Sequence, residues 1–268
     1  MLNIFKYEFK MYQKSILVWS ITFITVTILL MAFYPSFGSD VAMVDKLLEN
    51  YPKELLQAFG MGGELSLATV LGYYAFVFAF LQLFIAIQAA NYGFSIISVE
   101  ERELTADYLM SKPVSRAEIL LAKFGATFIT LCISNGVIWI STLAALKLFN
   151  DGKAYNLSNI LLLLSTIIIF QLFFLSIGML VSVLMRKIRS VLSFSLALAF
   201  GTYILNSIRA IVGGKLLGYF SPFYHFNPAT ILAKGSINIA LLTLSSFVII
   251  ASLTATYLLY VRRDIYSL

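Results

Sequence analysis

The sequence predicts an all-α membrane protein with six transmembrane helices. Three observations carry that expectation: a mean hydropathy of +0.90, a composition that is 60% hydrophobic and only 12% charged, and six separate apolar runs long enough to cross a bilayer. With 23 Phe and 15 Tyr in 268 residues, the chain carries more apolar surface than a soluble domain of this length can bury.

A helix rises about 1.5 Å per residue, so about 20 apolar residues cross a hydrocarbon core roughly 30 Å thick. The runs fall at residues 15–34, 69–98, 119–147, 159–185, 190–212 and 239–261. The second, third and fourth exceed a minimal span and must tilt or project beyond the bilayer. Lys6, Lys10 and Lys14 precede the first run in the manner of a signal peptide, but Ser15 to Tyr34 is too long for such a core and reads as a retained span. Ile4, Phe5, Phe9 and Tyr12 alternate with those lysines. Residues 1–14 therefore suit an amphipathic helix lying on the membrane surface before the chain enters it. Residues 1–268 form one membrane domain.

Lys and Arg in alternate loops set the orientation. With both termini inside the cell, the inner segments hold twelve of them and the outer segments seven. Both termini are accordingly expected in the cytoplasm of a multi-pass cell-membrane protein. The net charge of +6 is dispersed in small clusters at span ends, so it does not point to nucleic acid.

Between spans one and two, Val41, Val44, Leu47, Leu48 and Tyr51 recur at helical spacing, and Pro52 can open a further turn through Lys53 to Leu56. Short outer helices are expected there. Before the sixth span, residues 218–228 combine two prolines with five Phe and Tyr rings and the one histidine. The prolines prevent a regular continuous helix, the rings suit an aromatic belt or a re-entrant turn, and short outer helices are expected here as well.

Nine charges crowd residues 100–123. Glu100 to Met110 has no helix breaker, and Leu104, Tyr108 and Leu109 give it a small apolar patch able to dock. Pro113 ends that helix, and Ser115 with Glu118 forms a capping box for the next. The pattern is helix, sharp turn, helix on the cytoplasmic side, or else a solvated loop between spans.

The run "EERELTADYLMSKPVSRAEILLAKF" resembles the cytoplasmic coupling segment of type-2 ABC transporter permeases. Glu101, Arg102, Glu103, Thr105, Tyr108, Leu109, Pro113, Val114, Ser115, Arg116 and Lys123 match its pattern, and Leu104 stands where the family usually has Gly. "MLNIFKYEFKMYQKS" is similar to the family's elbow helix, "YPKELLQAFG" to its first outer loop and "YFSPFYHFNP" to its hairpin before the sixth span. The resemblance implies that segment 99–118, with Glu100, Glu101, Arg102, Glu103, Leu104, Thr105, Asp107, Tyr108, Leu109, Pro113 and Arg116, couples to an ATPase. It further implies a homodimer or heterodimer of such chains, a homodimer being expected, bound to two copies of a separate ATPase subunit and working as an exporter or flippase. ATP and Mg are then held by that subunit. The chain itself has no Walker A motif, since Gly152-Lys153 and Gly214-Lys215 lack the upstream Gly and the following Ser or Thr. It is not expected to be an enzyme or to bind a cofactor, and one Cys and one His leave no recognisable metal motif.

Intramembrane amides are candidates for a substrate path: Gln82, Gln88, Asn91, Asn135, Gln171 and Asn206. The same residues can simply bond one helix to another. Ser193, Ala197 and Gly201 form a small-residue stripe on the fifth span, which in the family lies at the subunit interface. Sparse amides among apolar and aromatic residues suit a peptide, a lipid or a lipophilic antibiotic as cargo. An ion-coupled carrier commonly places a carboxylate near the midplane, and no Asp or Glu lies deep in a span. A membrane-embedded enzyme or assembly factor is the other rival, but His225 alone supplies neither nucleophile and base nor paired acids. Arg209, late in the fifth span, is expected to snorkel to the outer surface.

Overall fold

A computed structural model describes residues 2–38, 52, 56, 65–103, 114–185 and 187–262, and gives the backbone alone for residues 37–38, 100–103 and 215. Every element among them is a helix: α1 (Leu2–Met31), α2 (Tyr34–Gly38), α3 (Val70–Glu103), α4 (Arg116–Phe149), α5 (Leu157–Ser165), α6 (Ile167–Leu184), α7 (Val191–Val212), α8 (Lys215–Gly218), α9 (Pro222–His225), α10 (Pro228–Lys234) and α11 (Ile239–Arg262). Six stretches are long and apolar enough to cross a membrane: Leu2–Ser36, Val70–Val99, Arg116–Phe149, Leu157–Leu184, Val191–Val212 and Ile239–Arg262. The protein is a multi-pass membrane protein.

The lead-in and the first span are one unbroken helix. No Pro or Gly occurs between Leu2 and Met31, so nothing in the chain forces a turn at Ser15. Its 30 residues give a length of about 45 Å, well beyond a hydrocarbon core. The helix of the second span likewise continues through Glu103.

The fourth span breaks at Thr166. Its amide donates to the Leu163 carbonyl three residues back (3.1 Å) and its hydroxyl donates to the same oxygen (2.7 Å). This tightens the turn, and a second helix starts immediately afterwards. Of the helical segment expected between spans one and two, residues 41–51 and 53–55 lie outside the described residues. Leu56 donates to the Pro52 carbonyl across one helical turn (3.1 Å).

Before the sixth span the expected short helices are present, and the prolines start them. Pro222 and Pro228 each occupy the first turn of a short helix, where a missing N–H leaves no bond unmade, and Asn227 caps α10 by accepting from Thr230 N–H (3.0 Å). This α8–α10 hairpin is sewn to the bundle. Gln82 Nε2 donates to the Phe226 carbonyl (2.7 Å), Ser221 Oγ to the Thr202 carbonyl (2.8 Å) and Asn159 Nδ2 to the Leu232 carbonyl (2.8 Å). Phe223 and Phe226 meet Phe170 edge-on. His225 is buried, with Nδ1 2.7 Å from Ser245 Oγ. Burial holds its imidazole below the usual range, against the opposing pull of the Tyr219 and Gly218 carbonyls. Arg209 is turned into this hairpin: Nε donates to Asn206 Oδ1 (3.2 Å), and its guanidinium lies 4.3 Å from the centre of the Tyr224 ring.

The centre of the bundle is the contact between α3 and α6. A Cβ added to Gly93 would collide with the Leu175 carbonyl, and one on Gly178 would stand 3.1 Å from both Ala90 O and Phe94 N. Backbones this close need glycine at the crossing. Ser182 Oγ adds a bond to the Phe94 carbonyl (3.3 Å). Around this pair α1 packs along α4, α7 against α3 and α11 along α6.

The variant G93L is expected to lower the thermal stability of the detergent-solubilised protein by about 1–3 kcal/mol or more. The comparison is G136L, at a glycine with nothing within 4 Å of an added Cβ, which should stay within about 0.5 kcal/mol of the parent. Equal melting of the two variants would contradict the close-packing assignment.

Candidate coupling site

The charged segment enters from the end of α3 and leaves at the start of α4. Glu100, Glu101, Arg102 and Glu103 form the last turn of α3 as backbone. Leu104, Thr105, Asp107, Tyr108, Leu109 and Pro113 lie outside the described residues. At the far side the expected capping box is present. Ser115 Oγ accepts from Glu118 N–H (3.2 Å), and Glu118 Oε2 accepts from Ser115 N–H (2.9 Å). Arg116 is the first residue of α4 and is half-buried.

Seven residues into α4 lies Lys123, which is 1% exposed. Its ammonium donates to the Ile96 carbonyl of α3 (2.9 Å) and stands 3.5 Å from Glu8 Oε1 of α1. A buried ammonium without an anion is costly, so the pair fixes α1 and α3 to α4 at one level. Phe5 of α1 lies beside the same helix, 3.7 Å from where a Cβ on Gly125 would be.

This pair is the first rung of a polar seam. Glu8, Tyr12 and Ser15 share one face of α1 at spacings of four and three. Thr127 Oγ1 donates to Tyr12 OH (3.3 Å), and Ser15 Oγ shares a hydrogen with Tyr92 OH (2.9 Å), whose ring meets Tyr12 edge-on at 5.1 Å. Further along, Gln88 Nε2 donates to Ser134 Oγ (2.9 Å) and Tyr74 OH pairs with Thr142 Oγ1 (2.8 Å). Lys123, Thr127, Ser134 and Thr142 are all buried on one side of α4. Lys123 was visible in the sequence as part of the family pattern. The rest of the seam was missed, although its recurrence at spacings of four, seven and eight in an apolar helix is a readable signal.

The amides expected along a path have separate surroundings. Gln82 bonds the α8–α10 hairpin, Gln88 bonds α4 and Asn206 bonds Arg209 in its own helix. Asn91 and Asn135 are half-buried, and Asn135 Oδ1 is a buried oxygen with no hydrogen-bond partner among the described residues. Gln171 is 0% exposed, and among the described residues neither end of its amide has a hydrogen-bond partner. It shares a helical face with Leu175 and Gly178, where α6 crosses α3. Ser193, Ala197 and Gly201 are all exposed on α7, while Ser195 and Ala199, on the opposite face, are buried. No described residue lies within 4 Å of a Cβ added to Gly201.

K123M strands the Glu8 carboxylate inside the bundle. It is expected to destabilise the protein by about 3–5 kcal/mol, and the double variant E8Q/K123M should recover most of that loss. A double-mutant cycle on thermal unfolding reads the coupling; additive effects would rule out a direct Glu8–Lys123 interaction.

Residues 2–265 match the family model described as "ABC-2 family transporter protein". No curated protein matches the chain.

Proposed function

As a chain that belongs to the ABC-2 transporter family, the protein is an ABC permease membrane subunit, and we propose that it is the translocating half of an ATP-driven exporter. Permeases of this family are membrane subunits without ATPase activity of their own and partner with an ATPase subunit. In our reading two copies of that ATPase, holding ATP and Mg, act on a homodimer of this chain in the cell membrane, with both termini cytoplasmic. The cargo is an amphipathic or hydrophobic molecule: a peptide, a lipid or a lipophilic antibiotic. It leaves from the cytoplasm or the inner leaflet.

The observation that supports the reading best is the match over residues 2–265 together with the build of the coupling site. Closure of the ATPases presses on segment 99–118. That segment is strung between the end of α3 and the capped start of α4, and Lys123 joins those two helices to α1. A push at the segment therefore moves three helices as one body rather than bending a loop. The exposed stripe Ser193, Ala197 and Gly201 is the surface through which α7 meets its twin. Buried amides at Gln88 and Gln171, with Gln82, Asn91, Asn135 and Asn206, leave few polar groups for a cargo, which favours an apolar one.

Two measurements test this. The tagged wild-type chain should co-purify from its native membranes with a Walker A-containing ATPase, and Glu101→Lys/Arg102→Glu should lose it by tenfold or more while keeping its melting temperature. Retention of the ATPase by that variant would remove the segment from the coupling role, and a complex with no ATPase would remove the whole reading. Separately, A197C in a Cys132→Ser background is expected to cross-link two copies of the chain in membranes. A matched variant, I250C on the exposed face of α11, should not, and equal cross-linking of both would refute the assigned interface.

A further inference from the structure

The open face of α1 carries a second pattern that the coupling role leaves unused. Glu8, Tyr12 and Ser15 turn toward α3 and α4. Lys6, Lys10 and Lys14 recur every fourth residue and are exposed; Lys6 and Glu8, two residues apart, stand about 200° apart around the helix. Glu8 is the one acid between Leu2 and Met31, and its charge is committed to Lys123 inside the bundle. The open face thus presents three cations with no anion on its own helix.

Beyond Lys14 the same face becomes apolar without a break in the helix. Leu17, Ile21 and Ile24 follow at spacings of three and four from the lysines and are 62%, 57% and 40% exposed. Cations over about 12 Å of helix followed directly by an exposed aliphatic stripe match the two parts of a phospholipid: an anionic head group and an acyl chain. The depth also fits. The polar layer on each side of a bilayer is about 5–7 Å thick, so Lys14 and Lys10 fall within it, and Lys6 reaches back by extending its side chain.

We propose that the open face of α1 is a binding stripe for anionic phospholipid, with Lys6, Lys10 and Lys14 holding the head group and Leu17, Ile21 and Ile24 lying along an acyl chain. The stripe selects negative head groups over zwitterionic ones in the leaflet nearest the N-terminus. This proposal does not depend on the transport reading.

The test uses the full chain with a single tryptophan, W19F/W139F/L17W, in vesicles of equal phosphatidylcholine and phosphatidylglycerol, with bromine on the acyl chains of one lipid or the other. Brominated phosphatidylglycerol is expected to quench the emission more strongly, reporting local enrichment of up to roughly fivefold per lysine. K6Q/K10Q/K14Q should abolish the difference, and 0.5 M salt should reduce it. Equal quenching by the two lipids, or a preference that survives the triple variant, overturns the proposal. So does finding that the lysines serve a protein, in which case the parent shows no lipid preference and the triple variant loses a co-purifying polypeptide. Should removal of Trp19 disturb folding, native mass spectrometry of the otherwise unaltered chain counts retained phosphatidylglycerol against phosphatidylcholine, with and without K6Q/K10Q/K14Q. The same loss is expected there, and its absence has the same consequence.

Discussion

A lysine ammonium cannot sit 1% exposed among membrane helices unless something compensates its lost hydration. Lys123 has the Glu8 carboxylate at 3.5 Å and the Ile96 carbonyl at 2.9 Å, and these lie on two other helices. Neither partner can leave without exposing the other to an uncompensated desolvation cost of several kcal/mol. The level at which α1, α3 and α4 meet is therefore set by one charge, and the seam beyond it follows in register. Its five interhelical hydrogen bonds, counting Lys123 to Ile96, contribute about 0.6 kcal/mol each, roughly 3 kcal/mol together. That is less than the cost of stranding either ion. The hydrogen bonds align the three helices, and the ion pair keeps them from separating.

Elsewhere the bundle coheres by other means. Helices in lipid gain nothing from burying apolar surface against one another, so contact must come from close packing or polar bonds. The α3–α6 crossing uses the first, with Gly93 and Gly178 bringing backbones together. At the α8–α10 hairpin, rings of Phe170, Phe174, Phe223 and Phe226 interlock, and carbonyls of the hairpin receive Gln82 and Asn159. α3 takes part in all three: the seam through Gln88 and Tyr92, the glycine crossing through Gly93 and the hairpin through Gln82. It is also the most deeply buried of the spans.

Six apolar runs, the capping box at Ser115 and the place of the charged segment were legible in the sequence because each is a local pattern of length, periodicity or spacing. The continuity of α1 was less so. Alternating Lys and aromatic residues in 2–14 gives the same amphipathic signature whether the helix lies on a surface or packs on a neighbour, and Glu8 tips the balance only once Lys123 is seen opposite. The break at Thr166 was hidden because neither Pro nor Gly marks it; a hydroxyl bonding back to Leu163 does. Short helices before the sixth span were expected, but Pro222 and Pro228 were seen only as interruptions, although the fixed φ and missing N–H of proline suit the first turn of a new helix. Arg209 was expected to reach for the surface; it is partly exposed and also lies over Tyr224, a contact between segments 15 residues apart that no local pattern encodes. The amides illustrate the limit for sites. Sequence can mark a Gln in an apolar helix, but whether it faces Phe226, Ser134 or no partner at all depends on how the helices are turned.

The orphan amide of Gln171 bears on how such a bundle can move. Its face of α6 crosses α3 where Gly93 and Gly178 bring the backbones together, and Ser182 donates to Phe94 across the same crossing. An amide left unbonded inside a bundle costs about 1–3 kcal/mol, so an arrangement of α6 that gave Gln171 a partner would be favoured by that amount. Under the proposed coupling role, a displacement at segment 99–118 would reach α1, α3 and α4 together through Lys123 and pass to α6 across this crossing, with Gln171 the group whose bonding it would change.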